Sequence, residues 1–449
     1  MDRPHLSFAR LLCVVSIVAM ATTGPGYRVV AGAGAERQHG GDPAFTEVSR
    51  RAVIEAIGAR LRKAYIYPDL VPQLLARLGQ SRDRYDTDDP VLFAHRVTED
   101  LQAVSHDTHL YMNFEPDWYR ARGAAPDPRG SAAANAFDID QARSFNHGLV
   151  ETRILPGNVR YLKIDGFFWT GPESARAYDA AMRFLKDGRA IIIDLRSNGG
   201  GETEAAYYLL SHFFDPGALM LSIVSPGEGD VQVRARNRLP VGRIKSVPLF
   251  VLVNGHSRSA AEAVAYTLGE FRRGEIVGER TEGAAHISDD TAIAPFFRLS
   301  VPISRTLNPV SKTDWEGIGV TPGIATSSSA ALDVAYDRAL TALLTSTGDP
   351  EQRQFLLWAQ QGLSARRTGS QPTRDTLSTM AGHYGAASLE LRDDALWLSR
   401  PGRAPLKLAP MGSDGLFEAE EVDTLRVRIG RGTLDVLRPM PALDEHFTR

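Results

Sequence analysis

The chain has 449 residues, 43% hydrophobic and 23% charged, and its 51 basic against 54 acidic side chains leave a formal net charge of −3. That balance, with an isoelectric point near 6.4, excludes a broad nucleic-acid or polyanion surface, and the composition excludes collagen-like, low-complexity and disordered chains. The length suits about three domains with cores that need no disulfide or metal staples.

Arg3 and Arg10 precede an apolar run from Leu11 to Ala21. The run is short for a membrane span and is followed by small residues, so residues 1–35 are expected to be a signal peptide of an exported, periplasmic or extracellular protein. Ala19-Met20-Ala21 offers one cleavage site and the tract from Ala31 to Ala35 a second; an uncleaved anchor is the alternative. Cys13, the single cysteine, lies inside this segment. Cleavage would leave no thiol, which removes cysteine nucleophiles and cysteine-ligated zinc.

Residues 44–130 carry helical periodicity at Val53, Ile54, Ile57 and Leu61, then Leu70, Leu74, Leu75 and Leu78, then Leu92, Val97 and Leu101, with a polar loop from Arg120 to Gly130. They read as an N-terminal helical domain. From 150 to 345 strands alternate with helices: strands over 160–164, 190–195, 247–253 and 296–301, helices over 172–186, 202–213, 260–271 and 330–344. This alternation predicts an α/β layered core with a partly parallel sheet. Ser364 to Thr376 reads as a linker. Beyond it, residues 376–449 alternate apolar and polar positions between turn signals, predicting a small antiparallel β-domain.

The phosphate-loop, H-E-x-x-H and G-x-S-x-G signatures are absent. Four constellations border core elements instead: Asp107-Thr108-His109-Leu110, Asp194 to Gly201, Asn254 to Glu262, and Trp315 to Pro322. Ser259 follows a buried strand and opens a helix. With Glu262 it makes an S-x-x-E capping box, which is the bland reading, yet a serine at a helix start is also placed for nucleophilic attack, with Ser257 as its rival. Gly199-Gly200-Gly201 sits between strand and helix, where bare amides suit an oxyanion hole, a phosphate cradle or a plain tight turn. His109 is a candidate base or a structural histidine, and His106 and His286 compete with it. Glu316 by itself is an ordinary loop carboxylate.

Taken together and in order, these motifs resemble the tail-specific (C-terminal processing) serine peptidases, in the branch of the tricorn protease core and interphotoreceptor retinoid-binding protein. The resemblance runs from about Val53 to Leu340 and includes Tyr65, Tyr67 and Pro68. It implies a ClpP/crotonase-like α/β core with Ser259 as nucleophile, His109 as general base and Glu316 as the orienting acid. By the same resemblance Thr108 takes the place of a tetrad serine, and the Gly200 and Ala260 amides form the oxyanion hole. No cofactor or metal is implied, and the partner is a polypeptide or peptide substrate, with oligomerisation left open. Three departures stand out. Ala284 occupies the place of the lysine of Ser/Lys members, Gly323 that of an aspartate, and no PDZ-sized insertion fits between His109 and Val159.

Two further readings compete with a peptidase. The same scaffold would serve a non-catalytic carrier of hydrophobic, retinoid- or lipid-like ligands. Alternatively the β-domain is the functional part, with Trp397 and Tyr384 lining a pocket rather than packing a core.

Overall fold

The computed structural model describes residues 45–122, 132–227, 229–368, 372–412, 415–422, 424–440 and 444–449. The expected signal peptide and Cys13 lie outside the described residues, as does most of the expected loop from Arg120 to Gly130. Residues 45–449 group as one compact unit.

The chain opens with helices α1 (Glu47–Ala64), α2 (Val71–Gln80) and α3 (Pro90–Ser105), strand β1 (Tyr111–Phe114), and helices α4 (Pro116–Arg122) and α5 (Ala132–Ser144). Next come β2 (Leu149–Leu155), β3 (Val159–Ile164), α6 (Pro172–Lys186), β4 (Ala190–Asp194), α7 (Thr203–Ser211), β5 (Leu219–Val224) and β6 (Val231–Arg234). There follow β7 (Leu249–Val253), α8 (Ala260–Glu270), β8 (Glu275–Gly278), β9 (His286–Ile293), β10 (Phe297–Leu307) and β11 (Ile324–Ala325). Helices α9 (Ala331–Ser346), α10 (Pro350–Thr368) and α11 (Arg374–Met380) lead into strands β12 (Gly382–Tyr384), β13 (Ala387–Arg392), β14 (Ala395–Ser399) and β15 (Leu406–Pro410). Strands β16 (Leu416–Ala419), β17 (Arg426–Ile429), β18 (Thr433–Leu437) and β19 (Glu445–Thr448) end the chain.

The central sheet runs β11-β8-β7-β4-β3-β2, parallel except for β2, which pairs antiparallel at the edge. Its inner strands β4 and β7 are buried at every position and almost wholly apolar because both faces are covered. Ile191, Ile193, Val251 and Val253 pack with α6, α7 and α8, while Ile192, Phe250 and Leu252 pack with α9 and α10. The expected alternation and partly parallel sheet are thus present. The loops leaving the carboxyl ends of β4, β7 and β8 lie where open α/β sheets place their ligands.

Three features differ from the sequence reading. A second, antiparallel sheet β1-β10-β5-β6, with β9 also on β10, was not anticipated. Its β10 extends to Leu307, well past the expected end at Val301, because it serves β1, β5 and β9 as a common partner. The face of this sheet formed by Phe297, Leu299 and Val301 shares one core with α1, α2 and α3, including Val53, Leu74, Phe93 and Leu101. Finally, the supposed linker from Ser364 to Thr376 is helical at both ends, in α10 and α11. Leu356, Ala359 and Leu363 bury one face of α10 against the α9 side of the central sheet.

The C-terminal strands β12 to β19 form the expected antiparallel β-domain, as an eight-stranded meander paired in sequence order. Arg449, beyond the last strand, donates to Ala381 O and Tyr384 Oη at 3.1 Å beside the first strand, so the sheet curls nearly into a barrel. Tyr384 is buried in its core and donates to Met380 O.

Candidate active site

The loop leaving β7 ends at Ser259, which immediately precedes α8. Ordinary N-caps have extended dihedrals. Ser259 instead has φ 53° and ψ −114°, a conformation costly for a residue with a side chain. Its N–H donates to Glu262 Oε2 at 2.9 Å, the Glu262 arm of the capping box. Glu262 is completely buried and also accepts from Thr281 Oγ1 at 2.5 Å and from the Gly283 and Ala284 amides at 2.7 and 2.8 Å. Burial pushes its carboxyl up, against the pull of these donors. One carboxylate therefore ties the serine turn to the loop after β8. Ser257 is committed to structure: it is buried, its hydroxyl donates to Leu195 O at 2.8 Å, and it accepts from Asn254 N at 3.0 Å.

The triple glycine follows β4. Gly200 has φ +99°, and a Cβ there would lie 2.8 Å from Ser259 Cβ and 3.3 Å from Ala260 N, so only glycine lets the two loops touch. The Gly200 N–H donates to the buried Asn198 Oδ1 at 2.9 Å. Ala260, at the first position of α8, presents one of the amides that a helix start leaves without an intrahelical acceptor.

Thr108 and His109 lie between α3 and β1. Arg258 joins them to the serine turn: its Nη2 donates to Thr108 O at 2.8 Å and Thr108 Oγ1 at 3.2 Å, and its Nε to Glu282 at 2.8 Å. The neighbours of Ser259 and His109 are thus bonded to each other. His109 itself is 5% exposed, and neither ring nitrogen has a hydrogen-bond partner among the described residues. Burial holds its pKa well below the usual histidine value, and the Arg258 and His286 charges add to this. A neutral ring with open nitrogens is in the state a general base requires.

Glu316 is placed elsewhere in the network. Trp315 packs against Tyr266 of α8 at 5.1 Å, and Gly317 N donates to Gly283 O at 2.8 Å, which docks the loop after β10 onto the loop after β8. Glu316 Oε2 accepts the Ala285 and His286 amides at 2.5 and 3.2 Å and lies 3.7 Å from His286 Nδ1. Burial raises its carboxyl, opposed by His286. His286 Nδ1 is 2.8 Å from Asp107 Oδ2, and its Nε2 is 3.1 Å from Tyr67 Oη. Asp107 Oδ1 accepts the His109 N–H at 2.9 Å. Glu316 therefore contacts His286 directly and reaches the His109 loop through Asp107. The donor atoms of Asp107, His286 and Glu316 lie within 4.8 Å of one another. Within this cluster only Asp107 and His286 stand at hydrogen-bond distance, while Glu316 is held by the two backbone amides.

Of the residues that sequence reasoning singled out, Gly200 packs on Ser259, Ala260 follows it in the chain and Thr108 is tied to the turn through Arg258, whereas neither the His109 ring nor Glu316 bonds to Ser259 among the described residues. Sequence reasoning gave no role to Asp107 or Arg258, although both lie inside the quoted motifs, and it held His286 only as a rival base. His106 is exposed and caps α3 in a left-handed conformation.

The chain is similar to known proteins over part of its length. Residues 158–326 match the family model described as Peptidase family S41. The chloroplastic C-terminal processing peptidase of Tetradesmus obliquus is 32% identical over 152 residues, covering 34% of this chain and 32% of that protein. The Tail-specific protease of Haemophilus influenzae is 27% identical over 163 residues, covering 36% and 21%. Among solved structures, the tricorn protease is similar at a TM-score of 0.40 and 11% identity, covering 66% of this chain and 37% of that one. The matches span about a third or less of the curated relatives' length. Residues 158–326 of this chain form a domain of peptidase family S41.

Proposed function

We propose that the protein is a serine peptidase that hydrolyses peptide bonds in extended or unfolded polypeptides, with Ser259 as nucleophile. The observation that carries this reading is the strained conformation of Ser259 at a helix start, with the Gly200 backbone packed against it. In the proposed mechanism His109 takes the Ser259 proton as Oγ attacks the carbonyl carbon, and later returns it to the leaving amine. The structure has no His109–Ser259 hydrogen bond, and such bonds commonly tighten only around substrate. The Ala260 amide is the standing oxyanion donor. Gly200 joins it by exchanging its bond to Asn198 for one to the oxyanion. Glu316 is the acid that balances charge on the histidine side, and Thr108 holds the loop through Arg258.

The ClpP/crotonase-like description of the core, the division into segments 44–130, 150–345 and 376–449, and export directed by residues 1–35 belong to the same proposal. No described helix is long and apolar enough to cross a membrane. The carrier reading has less behind it: a cleft of about 800 Å³ by the far end of α8 mixes charged side chains, Arg272, Arg273, Glu275 and Arg338, with apolar ones such as Leu249, Phe250 and Ile276, and lies away from the motifs described above.

The test is to incubate the protein with a mixture of unfolded proteins, identify new fragment ends by mass spectrometry, and map the site of fluorophosphonate labelling. Fragments and a Ser259 adduct, both lost in Ser259→Ala, are expected. Cleavage that persists in Ser259→Ala sinks the assignment of the nucleophile, and absence of both signals in the wild type sinks the peptidase.

A further inference from the structure

His286 sits at the start of β9, which is polar over most of its length, yet it is among the most enclosed titratable groups near the serine, at 3% exposure. Every polar atom of this residue that faces the cluster is engaged. Its backbone N–H donates to Glu316, Nδ1 bonds Asp107 Oδ2 at 2.8 Å, and Nε2 meets Tyr67 Oη at 3.1 Å. Asp107 is divided between two tasks, since one oxygen takes the His286 ring and the other, at 2.9 Å, takes the backbone N–H of His109.

We infer that His286 is a positioning residue: held by Tyr67 and Glu316, it fixes the Asp107 carboxylate, which in turn fixes the peptide of His109 and so the direction of its ring. The inference rests on the serine-peptidase reading for its consequence in turnover. It replaces a direct Glu316–His109 contact with the chain Glu316, His286, Asp107, His109. The orphaned ring of His109 makes this matter. With no partner on either nitrogen, its aim is set by burial and by the backbone on which it stands, and that backbone is anchored by Asp107. Loss of the His286 contact frees Asp107 to turn and release the His109 amide. A displacement of about 1 Å at a reacting group costs on the order of 10²-fold in rate.

The groups facing His286 are Asp107 on the α3–β1 loop, Glu316 and Asp314 on the loop after β10, and Tyr67 after α1. Arg305 is its cross-strand partner on β10, and His109 lies near enough to feel its charge.

Two amides separate the two contacts. His286→Asn places an amide nitrogen where Nδ1 stands and keeps the bond to Asp107. His286→Gln reaches toward Tyr67 and abandons Asp107. Turnover of an unfolded polypeptide, melting temperature, and hydrogen exchange of the segment around His109 are measured for wild type, both variants and Tyr67→Phe. His286→Gln should lose about 100-fold in kcat with KM nearly unchanged, and exchange in the His109 segment should speed up. His286→Asn should recover most of both, and Tyr67→Phe should lose less than His286→Gln. Equal losses in Asn and Gln, a loss that follows melting temperature alone, or a loss confined to KM would overturn the inference. If the wild type neither cleaves nor labels, the peptidase reading fails by itself, and exchange still decides: equal exchange in Asn and Gln overturns the positioning role, while faster exchange in Gln alone supports it.

Discussion

At Ser259 a side-chain-bearing residue is held at φ 53°, where strain of about 1–3 kcal/mol is expected. Ser259→Gly should therefore stabilise the protein by roughly 1 kcal/mol while abolishing labelling; urea unfolding beside fluorophosphonate labelling checks both. Ser257→Ala should act in the opposite sense. It strips two partners from a buried staple and should cost about 1–3 kcal/mol by the same unfolding measurement. The two histidines make a second contrast. Burial lowers the pKa of His109, so its protonation is penalised in the folded state; stability should fall as pH drops below the unfolded value of about 6.5. Burial would also lower His286, but the hydrogen bond and charge of Asp107, with Glu316 and Asp314, outweigh it and raise the pKa. Its contribution is fully present below about pH 6.5 and is lost as pH rises through the raised folded value. Unfolding midpoints across pH 5 to 9 should show His109→Gln flattening the acid limb and His286→Gln the alkaline one. The reverse assignment would contradict the burial argument.

At the scale of elements, the helices α1 to α3 cover the face of β10 that carries Phe297, Leu299 and Val301. Phe93 joins the two sides, its ring 5.8 Å from Phe297 and 5.6 Å from Tyr85. Phe93→Ala should cost about 3–5 kcal/mol and should loosen β9 along with the helices, because β9 hangs on β10. Exchange in His286 to Ile293 and in the helices should rise together; a rise confined to the helices would mean the two sides fold separately. This coupling was hard to read from sequence. The helices announce themselves by period and the strands β4 and β7 by unbroken apolar runs, but His-Ile-Ser-Asp-Asp-Thr-Ala-Ile in β9 alternates nothing and is a strand only because β10 offers it hydrogen bonds. Helix α10 failed differently: Leu356, Ala359 and Leu363 have helical spacing, but the Arg-, Ser- and Thr-rich end of the segment read as linker. The candidate site divides along the same line. Ser259, Gly200 and Glu262 lie beside recognisable elements, whereas the meeting of Asp107 with His286 spans 179 positions and no local pattern carries it.

For the whole molecule the question is whether the C-terminal meander takes part in the chemistry. Its core, from Leu377 to Phe447, is separate from the clusters on either face of the central sheet. A prominent link to the rest is Arg426 of β17. This buried guanidinium stacks 3.9 Å from the Trp358 ring on α10 and donates to Trp358 O at 2.6 Å and to Gln361 at 3.2 Å. A buried cation shared across a seam resists separation, since removing one side leaves polar atoms without partners. Yet the serine turn, the triple glycine and the His109 loop draw the hydrogen bonds described above from residues before 330. A chain ending at Thr368 should therefore melt at a lower temperature, with the exposed Trp358 face as the cause, and still label at Ser259 at close to the full-length rate. Residues 372–449 alone should keep a β-sheet circular-dichroism signal, since their core and near-closure through Arg449 are internal. Loss of labelling in the shortened chain, at a temperature where it remains folded, would show that the meander shapes the site, and the division of labour argued from the separate cores would fail.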